Sequence, residues 1–407
     1  MPQLTPADWA QRLRAALSHL SGPDEYIQRA PAAYRERLTF DLAAADLAEL
    51  AALAASLDDE AGSPDPGTGL GGIHRLVAVV DPGADDGGAP LGSFRLRRYG
   101  SRALEISAAI PVLESFGLVV VEELPAHIHL GEHPSDPVTV HVDDFGLHPS
   151  ARLGVGRFDP QADAAPLVAA LEAVVRGWAD TDSLNRLVIA AGLDWTEVVV
   201  LRAYRRYRQQ LGTSLEAKEL DDPLVAFPGV ARALISYFAA RFDPAGGGDS
   251  VAARAAVEEE LAPVPDLADD VVLRGYLALV DATTRTTFYA HRPRGAGLAL
   301  KLDGAGLPRS ARAPLAVEAF VHLPTVEGVH LRAGPVARGG IRWSDRPADL
   351  RTEILELAEA QVKKNAIIIP TGAKGGFVLR SGQPPTREVV QAAYEAFIGE
   401  LLDLTDN

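Results

Sequence analysis

Between Arg338 and Gly376 the chain sets three cationic positions among glycines. Arg338 stands directly before Gly339-Gly340, a Lys363-Lys364 pair follows, and Lys374 lies inside Gly372-Ala373-Lys374-Gly375-Gly376. An arginine presents a planar fork of donors that matches a carboxylate. Paired glycines let backbone approach a ligand closely and adopt angles that a Cβ forbids. A lysine buried near other cations loses its proton more easily, which makes the amine a base near neutral pH. Together these positions suit a small dicarboxylate substrate and a chemically active lysine. The plainer alternative is an exposed loop lysine at 374 and a helix-end lysine at 364 that complements the helix dipole. A phosphate cradle fails on its own terms: it needs glycine directly before the lysine and Ser or Thr after it, and here Ala373 and Gly375 stand there.

The elements that position these residues are legible around them. Trp343-Ser344-Asp345-Arg346-Pro347 reads as a helix start, with Ser344 or Asp345 capping and the proline in the first turn. Leu350, Ile354, Leu357, Ala358 and Val362 recur at helical spacing and form its apolar stripe. Ala366 to Ile369 reads as a short strand ended by Pro370, and a tight turn then presents Lys374. A last helix from about Thr386 to Leu404 carries Val390, Tyr394, Phe397, Ile398 and Leu401 on one face.

Upstream, residues 1–60 read as helical, and Asp58 to Gly72 is a linker by its Gly, Pro and acid content. Strands are predicted at Ile73–Val80, Ser93–Tyr99, Leu118–Val121 and Val138–Val142. A helix starts near Ser107, with Pro111 in or close to its first turn and Gly117 as its stop. This is a small antiparallel sheet with helical cover, part of a βαββαβ pattern. From about Asp159 to Arg285 six segments carry helical periodicity, and strands return at Leu298–Leu302, Ala316–His322 and Val329–Arg332. The fold class expected is α+β and multidomain. Its parts are a helical region with linker at 1–65, an α/β module at 66–150, a helical domain at 151–292, and the N-terminal part of an α/β substrate domain at 293–407.

Bulk properties narrow the functions. At 407 residues, 47% apolar and 23% charged, this is the composition of a globular protein. A formal charge of −16 argues against nucleic acid or an anionic membrane as partner. With no cysteine, disulfides, thiolate metal sites and cysteine nucleophiles are excluded. The N-terminus lacks a signal-peptide pattern, and no run approaches about 18 apolar residues, so a soluble, cytoplasmic protein is expected. His127, His129, His133 and His141 read as structural or exposed histidines rather than a metal site. Tyr204-Arg205-Arg206-Tyr207-Arg208 reads as a solvated helix face with both tyrosines packed inward.

The 338–376 run closely resembles the substrate-domain segment of the glutamate dehydrogenases, specifically the large NAD-specific bacterial type. The ARGG-RWSDR, QxxKNA and GAKGGF blocks stand here in order. VHVDDFGL, DSLNRLVIAAGLDW, LRAYRRYRQQ, ARFDP, the EAF at 318–320 and the VEGVHLR block at 326–332 also resemble that family, so the likeness covers roughly residues 25–407. It implies oxidative deamination of L-glutamate to 2-oxoglutarate and ammonia with NAD as hydride acceptor. Carried over, Arg338 with Gly339 and Gly340 holds the side-chain carboxylate, and Lys364 (or its neighbour Lys363) holds the α-carboxylate. Lys374 is the catalytic lysine that activates water. The resemblance further implies a homo-oligomer, and a catalytic aspartate and NAD site outside this chain. No GxGxxG follows a strand here, and the chain is expected to be a truncated piece, inactive by itself. The unit at 73–145 resembles an ACT-type regulatory domain. The opposing expectation is a non-catalytic amino-acid-binding or assembly module.

Overall fold

The computed structural model describes residues 11, 73–80, 93–100, 102–130, 138–151, 159, 163–246, 248–290, 297–307, 315–334, 336–364, 371–380 and 384–405, with backbone only at 73–80, 128–130, 138–139, 364 and 371. The expected helices and linker of 1–65, the strand at 366–369 and His133 lie outside these residues. Two compact units are present, one holding the described residues up to Arg176 and the other those from Gly177 onward.

In the first unit, strands β1 (Ile73–Val80), β2 (Phe94–Gly100), β3 (Leu118–Leu130) and β4 (Val138–Pro149) form a sheet of order β1-β2-β4-β3. All three pairings are antiparallel. Helix α1 (Ile106–Ser115) packs near β3, and α2 (Ala164–Val175) near β1. Starting the count at β2 and placing β1 last gives βαββαβ with the sheet order of that fold. The module is therefore a circular permutation of the expected pattern, its fourth strand coming first in the chain. Alternation buries Phe94, Leu96, Val140, Val142, Phe145 and Leu147, and α1 adds Val112 and Leu113. Pro111 falls at the sixth helical position, beyond the first turn, so it gives up one backbone bond. Gly117 ends this turn at φ 76°, as a left-handed stop requires. His127 and His141 stand opposite each other on β3 and β4, ring centroids 4.7 Å apart and edge to face.

The second unit begins with a 3-10 turn (Ser183–Arg186) and helices α3 (Leu187–Ala190), α4 (Trp195–Gln210), α5 (Ala217–Ala226), α6 (Pro228–Phe242), α7 (Ser250–Leu261) and α8 (Leu267–Ala282). Helix α5 carries Pro223 inside it, which hid it from the periodicity. A mixed sheet follows, in the order β10-β11-β8-β7-β6-β5 with β9 also on β11. Its strands are β5 (Thr283–Thr286), β6 (Leu298–Asp303), β7 (Val317–His322), β8 (Val326–Arg332), β9 (Ala337–Arg338), β10 (Ile341–Trp343) and β11 (Thr371–Leu379). Helix α9 (Leu350–Lys364) joins β10 to β11, and α10 (Arg387–Asp403) closes the described chain.

The two faces of this sheet are covered differently. One face packs Ala319, Val321, Phe377 and Val326 against Phe397 and Ala393 of α10. Fully burying a phenylalanine such as Phe397 stabilises by about 1.5–3 kcal/mol. The other face presents Glu318, Phe320 and His322 to the helical segment, where Tyr207 of α4 lies 5.2 Å from the Phe320 ring.

Helix α4 corrects one expectation. Tyr204 and Tyr207 are buried as predicted, but Arg202 and Arg205 are buried too and form no solvated face. Arg202 grips Asp182 through two bonds of 2.8 Å, and Arg205 bridges Asp182 at 2.8 Å and Asp221 at 2.9 Å. Burial alone would raise the Asp182 carboxyl, but the Arg202 and Arg205 guanidiniums outweigh it and hold it at about 2. Asp221 goes the other way: burial pushes it up to about 6 despite Arg205 and the Ser183 hydroxyl. Among the described residues no single helix is long and apolar enough to cross a membrane.

Candidate functional site

Strand β11 lies inside the sheet edge and carries the site. On one side it pairs antiparallel with β8, from Ala373↔Arg332 to Leu379↔Val326. On the other side two short strands run parallel to it: β9 through Thr371↔Ala337 and Gly372↔Arg338, then β10 through Ile341↔Gly375 to Trp343↔Phe377. Gly339-Gly340 is the interruption between them, alongside Ala373 and Lys374. Register alone therefore brings Arg338, the glycine pair and Lys374 together, with Lys374 about 7 Å along the strand from the residue opposite Arg338.

The two glycines differ. A Cβ at Gly339 would lie 1.4 Å from the Ala373 carbonyl oxygen, whereas one at Gly340 would meet nothing within 4 Å. Neither has a positive φ, so close approach and not an unusual backbone angle is what requires glycine at 339. The Gly340 carbonyl accepts from the Gly375 amide at 3.2 Å, which ties the interruption to β11. Gly339→Ala is expected to cost roughly 1–3 kcal/mol by forcing β9 off β11, and Gly340→Ala to stay within about 0.5 kcal/mol of the parent. Urea unfolding of the two variants measures this, and equal midpoints would contradict it.

Lys374 sits in the middle of a strand, not on the expected turn. Gly372 and Gly376 flank it on the same face. A Cβ at Gly376 would come 2.4 Å from Ile354 Cδ1, and one at Gly372 would come 3.1 Å from Val362 Cγ2. Helix α9 thus rests on the bare positions either side of Lys374. The lysine is half-buried, and Arg338 is exposed. Among the described residues neither side chain takes part in an ion pair or hydrogen bond. The neighbouring arginines are all engaged: Arg342 with Glu353 at 3.3 Å, Arg346 with Asp349 at 3.0 Å, and Arg351 with Glu318 at 2.6 Å.

The RWSDR block ends β10 and bends toward a turn at 347–349, rather than starting the helix as expected. The helix begins at Leu350, while the Ser344 hydroxyl donates to Glu353 at 2.7 Å and accepts from the Arg346 amide at 3.1 Å. The predicted stripe holds, with Leu350, Ile354 and Ala358 fully buried, and Leu355 joins it. Lys363 is exposed; Lys364 ends the helix and its side chain lies outside the described residues. One residue was missed. Gln361 donates from Nε2 to the Arg338 carbonyl at 3.0 Å, and its Oε1 is buried with no partner among the described residues. Its place three residues before Lys364, one helical turn away, was the available signal.

Two further features belong to the opposite face. His330, opposite Gly375, is pushed down to about 4 by burial and by Arg332, so it carries no charge at neutral pH. An open cleft of about 560 Å³ is lined by Ile341, Trp343, Phe377, Val390 and Tyr394, with Arg342 and Arg387. It lies on the α10 side, away from Lys374.

A half-buried lysine thus lies beside a glycine pair and an arginine that, among the described residues, joins no ion pair, all on one side of the sheet next to a helix. The family model for the bacterial NAD-glutamate dehydrogenase catalytic domain matches residues 256–407. Models for glutamate dehydrogenase helical motif 3 and the ACT3 domain match 179–244 and 84–161. The NAD-specific glutamate dehydrogenase of Halomonas elongata is 38% identical over 391 residues, covering 93% of this chain and 22% of that protein. That of Mycobacterium tuberculosis is 40% identical over 333 residues, covering 76% of this chain and 20% of that protein. That of Pseudomonas aeruginosa is 39% identical, covering 75% and 19%. The chain belongs to the large bacterial NAD-specific glutamate dehydrogenases, and it spans about a fifth of the length of the curated relatives it matches.

Proposed function

We propose that this chain supplies the dicarboxylate-binding, lysine-bearing part of an enzyme that oxidatively deaminates L-glutamate to 2-oxoglutarate and ammonia. The observation that carries the reading is the register of β9, β10 and β11, which sets against a glycine pair two cations that have no partner among the described residues. A small dicarboxylate is the ligand class such cations attract. In this reading Arg338 takes the side-chain carboxylate, Lys364 the α-carboxylate, and Gly340 leaves room for close approach while Gly339 seats the pair against β11. Lys374, from the strand beneath α9, accepts a proton from the water that adds to the substrate's C=N carbon once that carbon has given up its hydride.

The family uses NAD, but the described residues do not fit a dinucleotide. The one β-α-β passage ending in a parallel pair, β10-α9-β11, has no glycine in the turn before its helix. That turn and the first helical turn carry Asp345, Asp349 and Glu353, which would repel a pyrophosphate. In this reading NAD is held outside the described residues, in a homo-oligomeric parent, and no step through it is assigned to these residues. The proposed organisation is an N-terminal region at 1–65, an ACT-like module from 66 through α2, a helical domain from Gly177 to 292 and the substrate domain from 293.

Calorimetric titration of the 407-residue chain with 2-oxoglutarate tests the reading. Binding is expected, weakened about 100-fold by Arg338→Ala, since a bidentate charged contact is worth about 3 kcal/mol. Equal affinity for a 2-oxo acid with an apolar side chain would overturn it, because Arg338 would then serve no carboxylate.

A further inference from the structure

Helix α9 is capped from a distance. The amide of Arg351, at its second position, is one of the N-terminal donors that lack a partner within the helix. It donates to Oε1 of Gln210, at the end of α4, at 3.0 Å across 141 residues of sequence. Nε2 of the same side chain donates to the Pro347 carbonyl at 2.8 Å and to Glu327 Oε1 of β8 at 3.0 Å. Gln210 is buried, and all three of its contacts are to the substrate domain. One turn back on α4, the Tyr207 hydroxyl donates to Glu318 Oε2 at 2.6 Å, and Glu318 in turn holds the Arg351 guanidinium at 2.6 and 2.8 Å. The start of α9 is thus fixed against the sheet by two side chains of α4. Its far end carries Gln361 on the Arg338 carbonyl, and its underside rests on Gly372 and Gly376.

From this geometry we infer that Gln210 and Tyr207 are positioning residues for the dicarboxylate site. They set the axial height of α9 over Lys374 and hence the distance from Gln361 and Lys364 to Arg338. The inference rests on the substrate-site reading above. Ile354 and Val362 fill the spaces at Gly376 and Gly372, so α9 packs closely on the strand that bears Lys374 and a shift at its start is transmitted along it. An offset of about 1 Å at such a site costs as much as 100-fold in function.

The test uses the full chain with Gln210→Met, which keeps the volume and removes the three bonds, and with Tyr207→Phe, which loses only the hydroxyl. Two readouts are taken: 2-oxoglutarate affinity, and amide exchange of 350–364 against 387–403 without ligand. Expected are an affinity loss of about tenfold and faster exchange in α9, with α10 unchanged. Unchanged α9 exchange, or equal loss in α9 and α10, would overturn the inference. So would faster α9 exchange with wild-type affinity. If the parent chain itself binds no 2-oxoglutarate, the substrate reading fails, and the exchange arm still decides whether α4 holds α9.

Discussion

On the proposed reading, Lys374→Ala is expected to lower NAD-coupled turnover of L-glutamate by about 10²–10⁴-fold in a protein that joins this chain to a nucleotide site, the range for loss of a positioned acid–base group. Affinity for 2-oxoglutarate changes much less, because the carboxylates are held elsewhere. The strand survives the change: backbone pairing of β11 with β8 and β10 does not use the side chain, and alanine suits a position between two glycines under a helix. Lys374→Arg does not restore the rate, since a guanidinium stays protonated and cannot accept a proton. Arg338→Ala gives the opposite split, with KM raised more than kcat falls. Steady-state kinetics of the three variants separates the roles. Turnover within about twofold of the parent for Lys374→Ala would leave the lysine a structural or electrostatic residue and remove it from the proton step.

How far the sequence carries the reader depends on which residues are asked. Arg338, the glycine pair and Lys374 were legible because each is a chemical type in an unusual neighbourhood. Their mutual placement was not, because it comes from parallel pairing of β9 and β10 with β11, and pairing partners leave no local trace. The same gap explains Lys374: a glycine-rich run reads as a turn, yet here the glycines make room for α9 and for His330 and Ile341 within a strand. Reading α4 as a solvated face failed for a related reason. Arginine is mostly exposed, and only the distant Asp182, Asp221 and Glu327 make its burial possible. The cap on α9 was looked for at Ser344 and Asp345, nearby in sequence, and is instead Gln210. In the first unit every strand was found, but the βαββαβ pattern looked incomplete because its closing strand precedes the others.

Replacing Glu318 by glutamine is expected to cost about 3–5 kcal/mol of stability, the penalty for leaving one partner of a buried ion pair uncompensated. Glu318 is fully buried and accepts three charge-assisted or phenolic bonds, two from Arg351 and one from Tyr207. A glutamine has one acceptor oxygen, so its amide nitrogen must face a donor and Arg351 keeps its charge in an apolar setting. Tyr207 does not compensate by ionising, since burial, the largest of the causes that hold its phenol well above the usual range, remains after the Glu318 charge is removed. For a unit of this size the melting temperature should fall by roughly 6–20 °C. The contrast is the triple change Glu318→Leu, Arg351→Met, Tyr207→Phe, which removes both charges and the hydroxyl together. It is expected to be neutral or to stabilise by about 1–4 kcal/mol, as buried pairs often yield to apolar packing. Denaturant unfolding of both forms decides. If Glu318→Gln costs under about 0.5 kcal/mol, the pair is not dry, and the link it makes between α4, β7 and α9 is weaker than its distances imply. If the triple variant is stable yet binds 2-oxoglutarate poorly, the network is kept for the placement of α9 and not for the stability of the fold.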